Sequence, residues 1–495
     1  MRRTPVLAVA ATALAAAIAV PALTVTSPKV SAATKPAASS TVKWAPCPPD
    51  VVQYVPLECA KLAVPLDYRK PDGRQIELAL SRLASKDPSK RRGILLTNPG
   101  GPGSTGIDYP GYFARAGASK DVLDAYDVIG MDPRGVGRSA PVTCDLTPAQ
   151  QSHGSFATYA HSAADVAKEA PYARAIAKQC ATSKTASMLP FITSANTARD
   201  LDRVRAALGE EKASYLGLSY GSYLGAVYTT MFPRTSDRVV IDSVMGPGGY
   251  DENAMRMFGR GLEDRFPDFQ KYVVAHPELG LGTTPPQVKA KFFELARKLR
   301  VQPVKGMTET DFRATAFGLL YGEANLPVLA KVWQDIDAGK PLEVPPATGD
   351  DNAMAARLYV ACTDSRWPTS VREYQRNVAI DRIKHPMLGA AAAGIQPCAF
   401  WPNRRVEPPV KITDRGPSNV LLVQNERDPG TPLVGAQKMR RALGDRATMV
   451  TVDGGGHGVY PVTKNTCAKD AVVTFLTTGE RPSRDLACAA EAPKK

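Results

Sequence analysis

Ser219 stands at the centre of a pattern that can carry nucleophilic chemistry. It is flanked by Gly217 and Gly221 in a Gly-x-Ser-x-Gly arrangement, within the stretch SYLGLSYGSYLGAVY. The apolar run before the serine predicts a strand, and the small and apolar residues after it predict a helix. A sharp strand-to-helix turn would lift the hydroxyl clear of the sheet, and glycine on both sides avoids collisions across that turn. These residues predict that Ser219 is a nucleophile.

A serine hydroxyl near its free pKa is a weak nucleophile, so this hypothesis requires a base and an acid that orients the base. Of the five histidines, only His457 lies in a glycine-rich loop after a late strand, in TVDGGGHGVY. The acid should follow the preceding strand, where VLLVQNERDPGTP contains Glu426 and Asp428. We favour Asp428 because its Asp-Pro-Gly-Thr-Pro turn would fix a carboxylate at the strand end, whereas Glu426 suits a solvated loop.

Acyl transfer also requires hydrogen-bond donors for the oxyanion of the tetrahedral intermediate. The backbone N–H of Tyr220, directly after the serine, is one candidate. The second donor is expected in the early glycine-rich loop NPGGPGSTG, where we favour Gly101. A phosphate-binding role for this loop is disfavoured because no Gly-Lys-Ser/Thr follows it. We expect no cofactor.

Strand and helix patterns alternate around these motifs. CAKLAVPLDY and QIELALSRLAS indicate strands joined by the turn RKPDGR, and RGILLTN, YDVIGM, ASYLGL, DRVVIDSV, NVLLVQNERDP and ATMVTVDGG indicate further strands. Residues 246–400, in contrast, carry mainly helical patterns. We predict an α/β fold with a mostly parallel sheet, whose core of residues 44–245 and 401–495 is interrupted by an inserted helical lid at 246–400.

The N-terminal segment has the features of an export signal. Two arginines precede an uncharged, alanine-rich stretch, and small residues at 30–32 suit cleavage. This order predicts a secretory signal peptide at 1–32, followed by a flexible linker at 33–43. A retained membrane anchor is the alternative, but alanine partitions weakly into hydrocarbon and Pro21 would interrupt the helix. We expect a secreted protein without membrane association after cleavage.

The eight cysteines agree with export. No Cys-x-x-Cys pair is present and no histidine lies near two of them, so no metal site is expected. Eight reduced thiols would suit a cytosolic enzyme better than an exported one. Many pairings are possible, and the simplest joins sequence neighbours: Cys47–Cys59, Cys144–Cys180, Cys362–Cys398 and Cys467–Cys488.

The formal net charge of +14 raises the question of a polyanionic partner. The basic residues are scattered, however, and even the dense group at 90–92 is too short for a nucleic-acid-binding arm. A solvated basic surface explains this charge, and no nucleic-acid partner is expected.

The motifs NPGGPG, DPRGVGRS, GLSYGSYLGAVY, RDPGTP and GGGHG follow one another in this order. In this arrangement the sequence resembles the secreted bacterial tripeptidyl aminopeptidases, which are α/β-hydrolases related to prolyl iminopeptidases. The resemblance covers about residues 44–490 and is weakest in the helical insertion. It implies that Ser219 is the nucleophile, Asp428 the orienting acid and His457 the general acid/base. It also implies removal of short peptides, typically tripeptides, from free N-termini. Pro99 replaces a histidine of related iminopeptidases, which matters little if the oxyanion donor is a backbone N–H.

Three functions are compatible with these motifs. The first is a serine exopeptidase whose substrates are peptides with a free N-terminus. The second is an esterase or amidase with the same triad, and the third a catalytically silent scaffold, disfavoured because all three triad positions carry competent residues. An exopeptidase must bind a cationic amine, which calls for a carboxylate near the site, whereas an esterase requires an apolar tunnel. We expect Asp364 to be the amine anchor, with Glu323 as the next candidate; a capping or solvated role is the alternative for Asp364.

Overall fold

A computed structural model of the chain describes residues 42–152, 156–304, 307–340, 350–402 and 405–491. The predicted signal peptide and most of the predicted linker lie outside these residues. In the part of the chain that is described, no helix is both long and apolar enough to cross a lipid bilayer.

One sheet runs through the described residues. Its strands are β1 (Ala45–Pro46), β2 (Glu58–Pro65), β3 (Gln75–Leu83), β4 (Gly93–Asn98), β5 (Tyr126–Met131), β6 (Ala213–Leu218), β7 (Ser236–Asp242), β8 (Val420–Arg427), β9 (Ala447–Gly455) and β10 (Leu486–Cys488). Their order across the sheet is β1-β2-β3-β5-β4-β6-β7-β8-β9-β10. The first three strands run antiparallel to their neighbours, and all pairs from β5 to β10 are parallel. The predicted mostly parallel sheet is confirmed.

Helices connect these strands. They are α1 (Tyr109–Arg115), α2 (Lys120–Ala125), α3 (Pro148–Ser152), α4 (Ala163–Thr182), α5 (Ser194–Ala207), α6 (Tyr220–Met231), α7 (Glu252–Val274), α8 (Pro285–Val301), α9 (Glu309–Leu319), α10 (Leu326–Asp337), α11 (Asp351–Asp364), α12 (Val371–Lys384), α13 (Gly389–Ala392), α14 (Leu433–Leu443) and α15 (Thr466–Thr478). Short 3₁₀ helices cover Ala186–Phe191, Pro277–Leu279, Glu323–Asn325, Pro397–Phe400 and Gly444–Arg446.

The central strands are apolar on both faces because helices cover both faces of the sheet. Every residue of β4 and β5 is buried. Ile94 and Leu96 pack on the side of α5, α6 and α14, whereas Leu95 between them packs on the side of α1, α2 and α15. The sheet is therefore the middle of three layers, between two layers of helices. The loops at the carboxyl ends of its parallel strands lie close together at one edge.

Between β7 and β8 the described chain is mainly helical, and most of these helices pack in a second hydrophobic core, which also takes in Phe156 and residues of α4; α11 packs in the core of the sheet. Trp333 packs against Phe266 and Phe269, with ring centroids 6.1 and 4.9 Å apart. Helix α10 begins with Pro327 in its first turn, a position where the missing N–H costs nothing. We call the helices α7 to α13, together with the turns that join them, the lid. The limits 246–400 stay a prediction.

Four disulfides join the eight cysteines: Cys47–Cys59, Cys144–Cys180, Cys362–Cys398 and Cys467–Cys488. These are the sequence neighbours that the simplest scheme pairs. The third bridge connects the end of α11 to the 3₁₀ helix at Pro397–Phe400, where the chain leaves the lid.

Removal of the Cys362–Cys398 bridge should lower the free energy of unfolding. A cross-link restricts the unfolded chain, so replacing both cysteines by alanine should cost about 2–4 kcal/mol in urea unfolding. The bridge Cys144–Cys180 is a matched comparison because both pairs are 36 residues apart in sequence. Unchanged unfolding free energy in both double variants, or eight free thiols in non-reducing peptide maps of secreted protein, would contradict this expectation.

Candidate active site

Ser219 occupies the turn between β6 and α6. Its backbone angles are φ 61° and ψ −122°, a region that non-glycine residues adopt only when the surrounding structure imposes it. A Cβ on Gly217 would lie 2.2 Å from the carbonyl oxygen of Gly221, and a Cβ on Gly221 would lie 2.5 Å from the carbonyl oxygen of Asn98. Both glycines are therefore required, as the sharp turn predicted from the sequence demands.

Asp428 and His457 form a buried pair at the ends of β8 and β9. His457 Nδ1 lies 2.9 and 3.0 Å from the two carboxylate oxygens of Asp428. The Asp428 side chain is fully buried and accepts hydrogen bonds from the backbone N–H groups of Gly430 and Thr431, at 2.8 and 2.9 Å, and from Thr431 Oγ1, at 2.9 Å. The Asp-Pro-Gly-Thr turn thus holds the carboxylate, whereas Glu426 lies two residues earlier within β8.

The pair lies beside the cavity that contains Ser219. Gly430 and Thr431 line this cavity together with Ser219, and a Cβ on Gly430 would lie 3.1 Å from His457 Nδ1. Among the described residues, no hydrogen bond joins Ser219 Oγ to His457 Nε2. Such bonds are often long in the absence of substrate and shorten in the reacting complex.

Tyr321 of the lid contacts His457 through its backbone and its ring. Its carbonyl oxygen accepts the backbone N–H of His457 at 2.7 Å, and the two rings pack with centroids 4.6 Å apart. No sequence signal points to Tyr321, because an isolated tyrosine gives no local indication of a contact with a residue 136 positions further along the chain. The lid therefore contributes directly to the position of the histidine.

Asp242 connects the serine turn with the histidine loop. Its carbonyl oxygen accepts the N–H of Ser219 at 3.0 Å, and its carboxylate accepts the N–H groups of Val459, at 2.9 Å, and Tyr460, at 2.6 Å. Burial raises the pKa of Asp242 to about 7, although these hydrogen bonds and the charge of His457 act in the opposite direction. Asp242 was not predicted as a site residue, although the sequence carries one signal for it, an acidic residue at the end of an apolar strand.

Opposing effects act on the imidazole. Burial alone would lower the pKa of His457, but the charge of Asp428, the hydrogen bond to it and the charge of Asp242 together raise that pKa above its ordinary value. If His457 is the general base, it must be neutral in the free enzyme. We therefore expect kcat/KM to rise with pH through an apparent pKa above about 6.5.

Replacement of Asp242 by asparagine should shift the acidic limb of the kcat/KM–pH profile toward lower pH. With a pKa of about 7, Asp242 carries part of its negative charge in this pH range, and that charge favours the imidazolium. Asparagine removes it, so His457 should lose its proton more readily. Asp453→Asn is a matched control, because it makes the same charge change on β9 at a side chain that is 51% exposed and paired with Arg427. A limb that stays in place, or moves to higher pH, in Asp242→Asn would contradict this assignment of charges.

Two backbone N–H groups are available near Ser219. A Cβ on Gly100 would lie 2.6 Å from the carbonyl oxygen of Leu218 and 2.9 Å from Ser219 Cβ, so the glycine-rich loop lies directly against the serine turn. Gly101 follows in this loop and lines the cavity with Ser219, and Tyr220 is the first residue of α6. Within the described residues, neither Gly101 nor Tyr220 donates its backbone N–H to a protein acceptor. Unpaired donors beside the nucleophile are one requirement of an oxyanion hole, so both N–H groups stay candidates for this role.

The cavity beside Ser219 has a volume of about 270 Å³ and is mostly aromatic and apolar. Its lining consists of Gly101, Pro102, Phe156, Ser219, Met245, Tyr250, Phe258, Phe317, Tyr321, Arg357, Gly430 and Thr431. None of these is a carboxylate, and Arg357 is the one charged residue among them. The described lining therefore lacks the carboxylate that was expected for binding a substrate amine.

Asp364 lies at the end of α11 and caps α5. Its carboxylate oxygens accept the backbone N–H of Ser194 at 3.0 and 3.2 Å, and Ser194 Oγ lies 2.6 Å from the hydroxyl oxygen of Tyr220. Burial raises the pKa of Asp364 to about 6. The carboxylate of Asp364 thus caps α5 and does not line the cavity of Ser219, which favours the capping role that was the alternative for this residue. Glu323 is 73% exposed, pairs with Arg265 at 2.6 Å and does not line the cavity either.

The chain is similar to known proteins over most of its length. The family described as "TAP-like protein" matches residues 385–488, which include both Asp428 and His457. A tripeptidyl aminopeptidase of Streptomyces lividans is 35% identical over 92% of this chain and 88% of its own length. Serine protease Hip1 of Mycobacterium tuberculosis is 26% identical over 92% of each chain, and carboxylesterase B of the same organism is 28% identical over 87% of this chain and 86% of its own. The chain belongs to the tripeptidyl aminopeptidase family of α/β-hydrolases.

Proposed function

We propose that the protein is a secreted serine exopeptidase that releases short peptides, of tripeptide length, from the free N-termini of peptide substrates. The observation that carries this proposal is the buried Asp428–His457 pair beside the cavity of Ser219. Similarity to a tripeptidyl aminopeptidase over most of both chains supports the exopeptidase activity. Four disulfides accord with an oxidising, extracellular location.

In the proposed reaction, Ser219 Oγ attacks the scissile carbonyl carbon while His457 Nε2 takes its proton. Asp428, hydrogen-bonded to Nδ1, keeps the imidazole in the required tautomer and stabilises the imidazolium. The N–H groups of Gly101 and Tyr220 stabilise the oxyanion. His457 then protonates the leaving amine, and water activated by the same histidine hydrolyses the acyl-enzyme and frees the N-terminal peptide.

Because no carboxylate lines the aromatic cavity, a carboxylate that binds the substrate amine must lie outside it. Phe156 and Arg357 also line an adjoining cavity, whose lining includes Glu169 of α4. Thr158 Oγ1 donates a hydrogen bond to Glu169 at 3.0 Å. A peptide that extends from Ser219 past Phe156 approaches this carboxylate, and we place its N-terminal amine there.

A free-amine tripeptidyl chromogenic substrate should be cleaved far faster than its N-acetylated twin. The amine, with a pKa near 7.7–8.0, is largely cationic at neutral pH, and acetylation removes the charge that a carboxylate attracts. Glu169→Gln should erode the ratio of the two kcat/KM values, whereas Asp364→Asn, the matched control at a helix cap, should retain it. Equal values for both substrates in the parent protein would exclude the aminopeptidase activity. Retention of the preference in Glu169→Gln would exclude only this anchor.

An esterase acting on small acyl substrates is the second candidate. The aromatic lining without a carboxylate favours it, and one relative of similar coverage is named a carboxylesterase. The two activities are separated by comparing a p-nitrophenyl ester of a short acyl chain with the tripeptidyl substrate. We expect the peptide to have the higher kcat/KM relative to its uncatalysed hydrolysis; the opposite order would favour the esterase.

A further inference from the structure

Arg357 lies on α11 where this helix meets the glycine-rich loop. A Cβ on Gly103 would lie 2.4 Å from the carbonyl oxygen of Ala353 and 3.2 Å from the backbone nitrogen of Arg357. The helix therefore packs directly against the loop that contains Gly101. The Arg357 side chain is half-buried and lines the cavity together with Ser219.

The guanidinium of Arg357 has no partner among the described residues, where it makes neither an ion pair nor a hydrogen bond. Three other arginines between β7 and β8 with mostly buried side chains are paired: Arg256 with Asp381 at 2.7 Å, Arg313 with Glu309 at 2.7 Å and Arg265 with Glu323 at 2.6 Å. Arg357 is thus a fixed positive charge facing an aromatic cavity, and no residue that lines this cavity balances the charge.

An arginine is charged at every physiological pH, and its planar fork matches a carboxylate with two parallel hydrogen bonds. Such a pair is stronger in a water-poor cavity than on an open surface. A cation at this place repels the substrate amine, which therefore requires a carboxylate such as that of Glu169 in the adjoining cavity. A substrate carboxylate, in contrast, would balance the charge.

We propose that Arg357 is a specificity-determining residue that binds a carboxylate of the substrate. This proposal rests on the proposed function. This carboxylate has two possible sources. It belongs either to an acidic side chain of the released tripeptide or to the C-terminus of a short leaving fragment. Both sources present the same group to the guanidinium, and two pairs of substrates distinguish them.

The first pair consists of free-amine tripeptidyl p-nitroanilides with Glu or its isostere Gln, placed in turn at each of the three positions. The second pair is a neutral pentapeptide with a C-terminal carboxylate or a C-terminal amide. In the parent protein, we expect the anionic member of one pair to have a kcat/KM at least about tenfold higher, as for a charge-assisted hydrogen bond in a desolvated site.

Arg357→Gln should remove this preference, and Arg357→Lys should keep part of it because the charge remains but the planar fork is lost. Arg376→Gln is the matched control, since it makes the same charge change on α12 at a side chain that is 69% exposed. It should leave the preference intact.

Two outcomes would overturn the proposal. One is a parent protein with no preference for the anion in either pair. The other is an Arg357→Gln variant that loses the same factor on neutral and anionic substrates, which would mean that Arg357 stabilises the reacting group itself or the fold. Failure of the proposed function has a different signature: the parent protein would cleave none of the free-amine tripeptidyl substrates, whatever their charge.

Discussion

Ser219→Ala should reduce turnover by several orders of magnitude and leave the fold intact. Loss of the nucleophile removes the acyl-enzyme route, and only the oxyanion donors and substrate binding would remain to accelerate hydrolysis, which leaves about 10³–10⁴-fold over water in serine proteases. The fold should persist because alanine occupies the same backbone position and no hydrogen bond of the Ser219 hydroxyl to a described residue is lost. Turnover and thermal unfolding of the variant check both parts.

Covalent labelling gives this prediction a second readout. A fluorophosphonate should modify Ser219 in the parent protein, and peptide mapping should recover the label on the GLSYG segment. Ser370→Ala is a matched control, because this exposed serine precedes α12 without making a capping hydrogen bond. Near-parent activity in Ser219→Ala, or labelling of another residue, would show that the nucleophile is misassigned.

Asp428→Asn should have the second largest effect, a loss of roughly 10⁴ in kcat by analogy with the same change in serine proteases. The carboxylate accepts the Nδ1 proton of His457, and an amide in its place can donate instead and favour the wrong tautomer. Backbone donors at Gly430 and Thr431 should hold the amide in place, so the loss should come from the tautomer and charge rather than from unfolding.

Glu426→Gln is the control for this experiment, since sequence reasoning left Glu426 as the alternative acid. It changes one carboxylate to an amide only two residues away, within β8. We expect its kcat to stay near that of the parent. Equal losses of kcat in the two variants would mean that negative charge at the end of β8 matters but not the Asp428–His457 pair. A large loss only in Glu426→Gln would identify Glu426 as the orienting acid.

Local sequence patterns were sufficient to predict features whose residues are contiguous in the chain. The Ser219 turn was predictable because β6, the glycines and α6 are contiguous, and the glycines are required by distances within that segment and its neighbour. The strands β4 and β5 were predictable because helices on both faces demand continuous apolar runs. The edge strands β1 and β10 were missed, since two or three residues are too few to show alternation.

Contacts that bring distant segments together were not predictable. Tyr321 reaches His457, and Asp242 reaches the loop after β9, only once the sheet and lid have assembled. The capping contact of Asp364 was hidden for the same reason, since its carboxylate meets the first turn of α5 across 170 residues of sequence. Arg357 carried no signal at all, because an arginine on a helix is usually a solvated or paired residue.

The most direct measurement is the identity of the products from one defined peptide. A decapeptide with a free N-terminus and its N-acetylated twin are incubated with the parent protein and with Ser219→Ala, and the fragments are identified by mass spectrometry over time. We expect the N-terminal tripeptide and its complementary heptapeptide from the free peptide, little product from the acetylated one, and none from either with Ser219→Ala. Internal cleavage of both peptides alike, or product formation that survives Ser219→Ala, would contradict a serine exopeptidase that acts through Ser219.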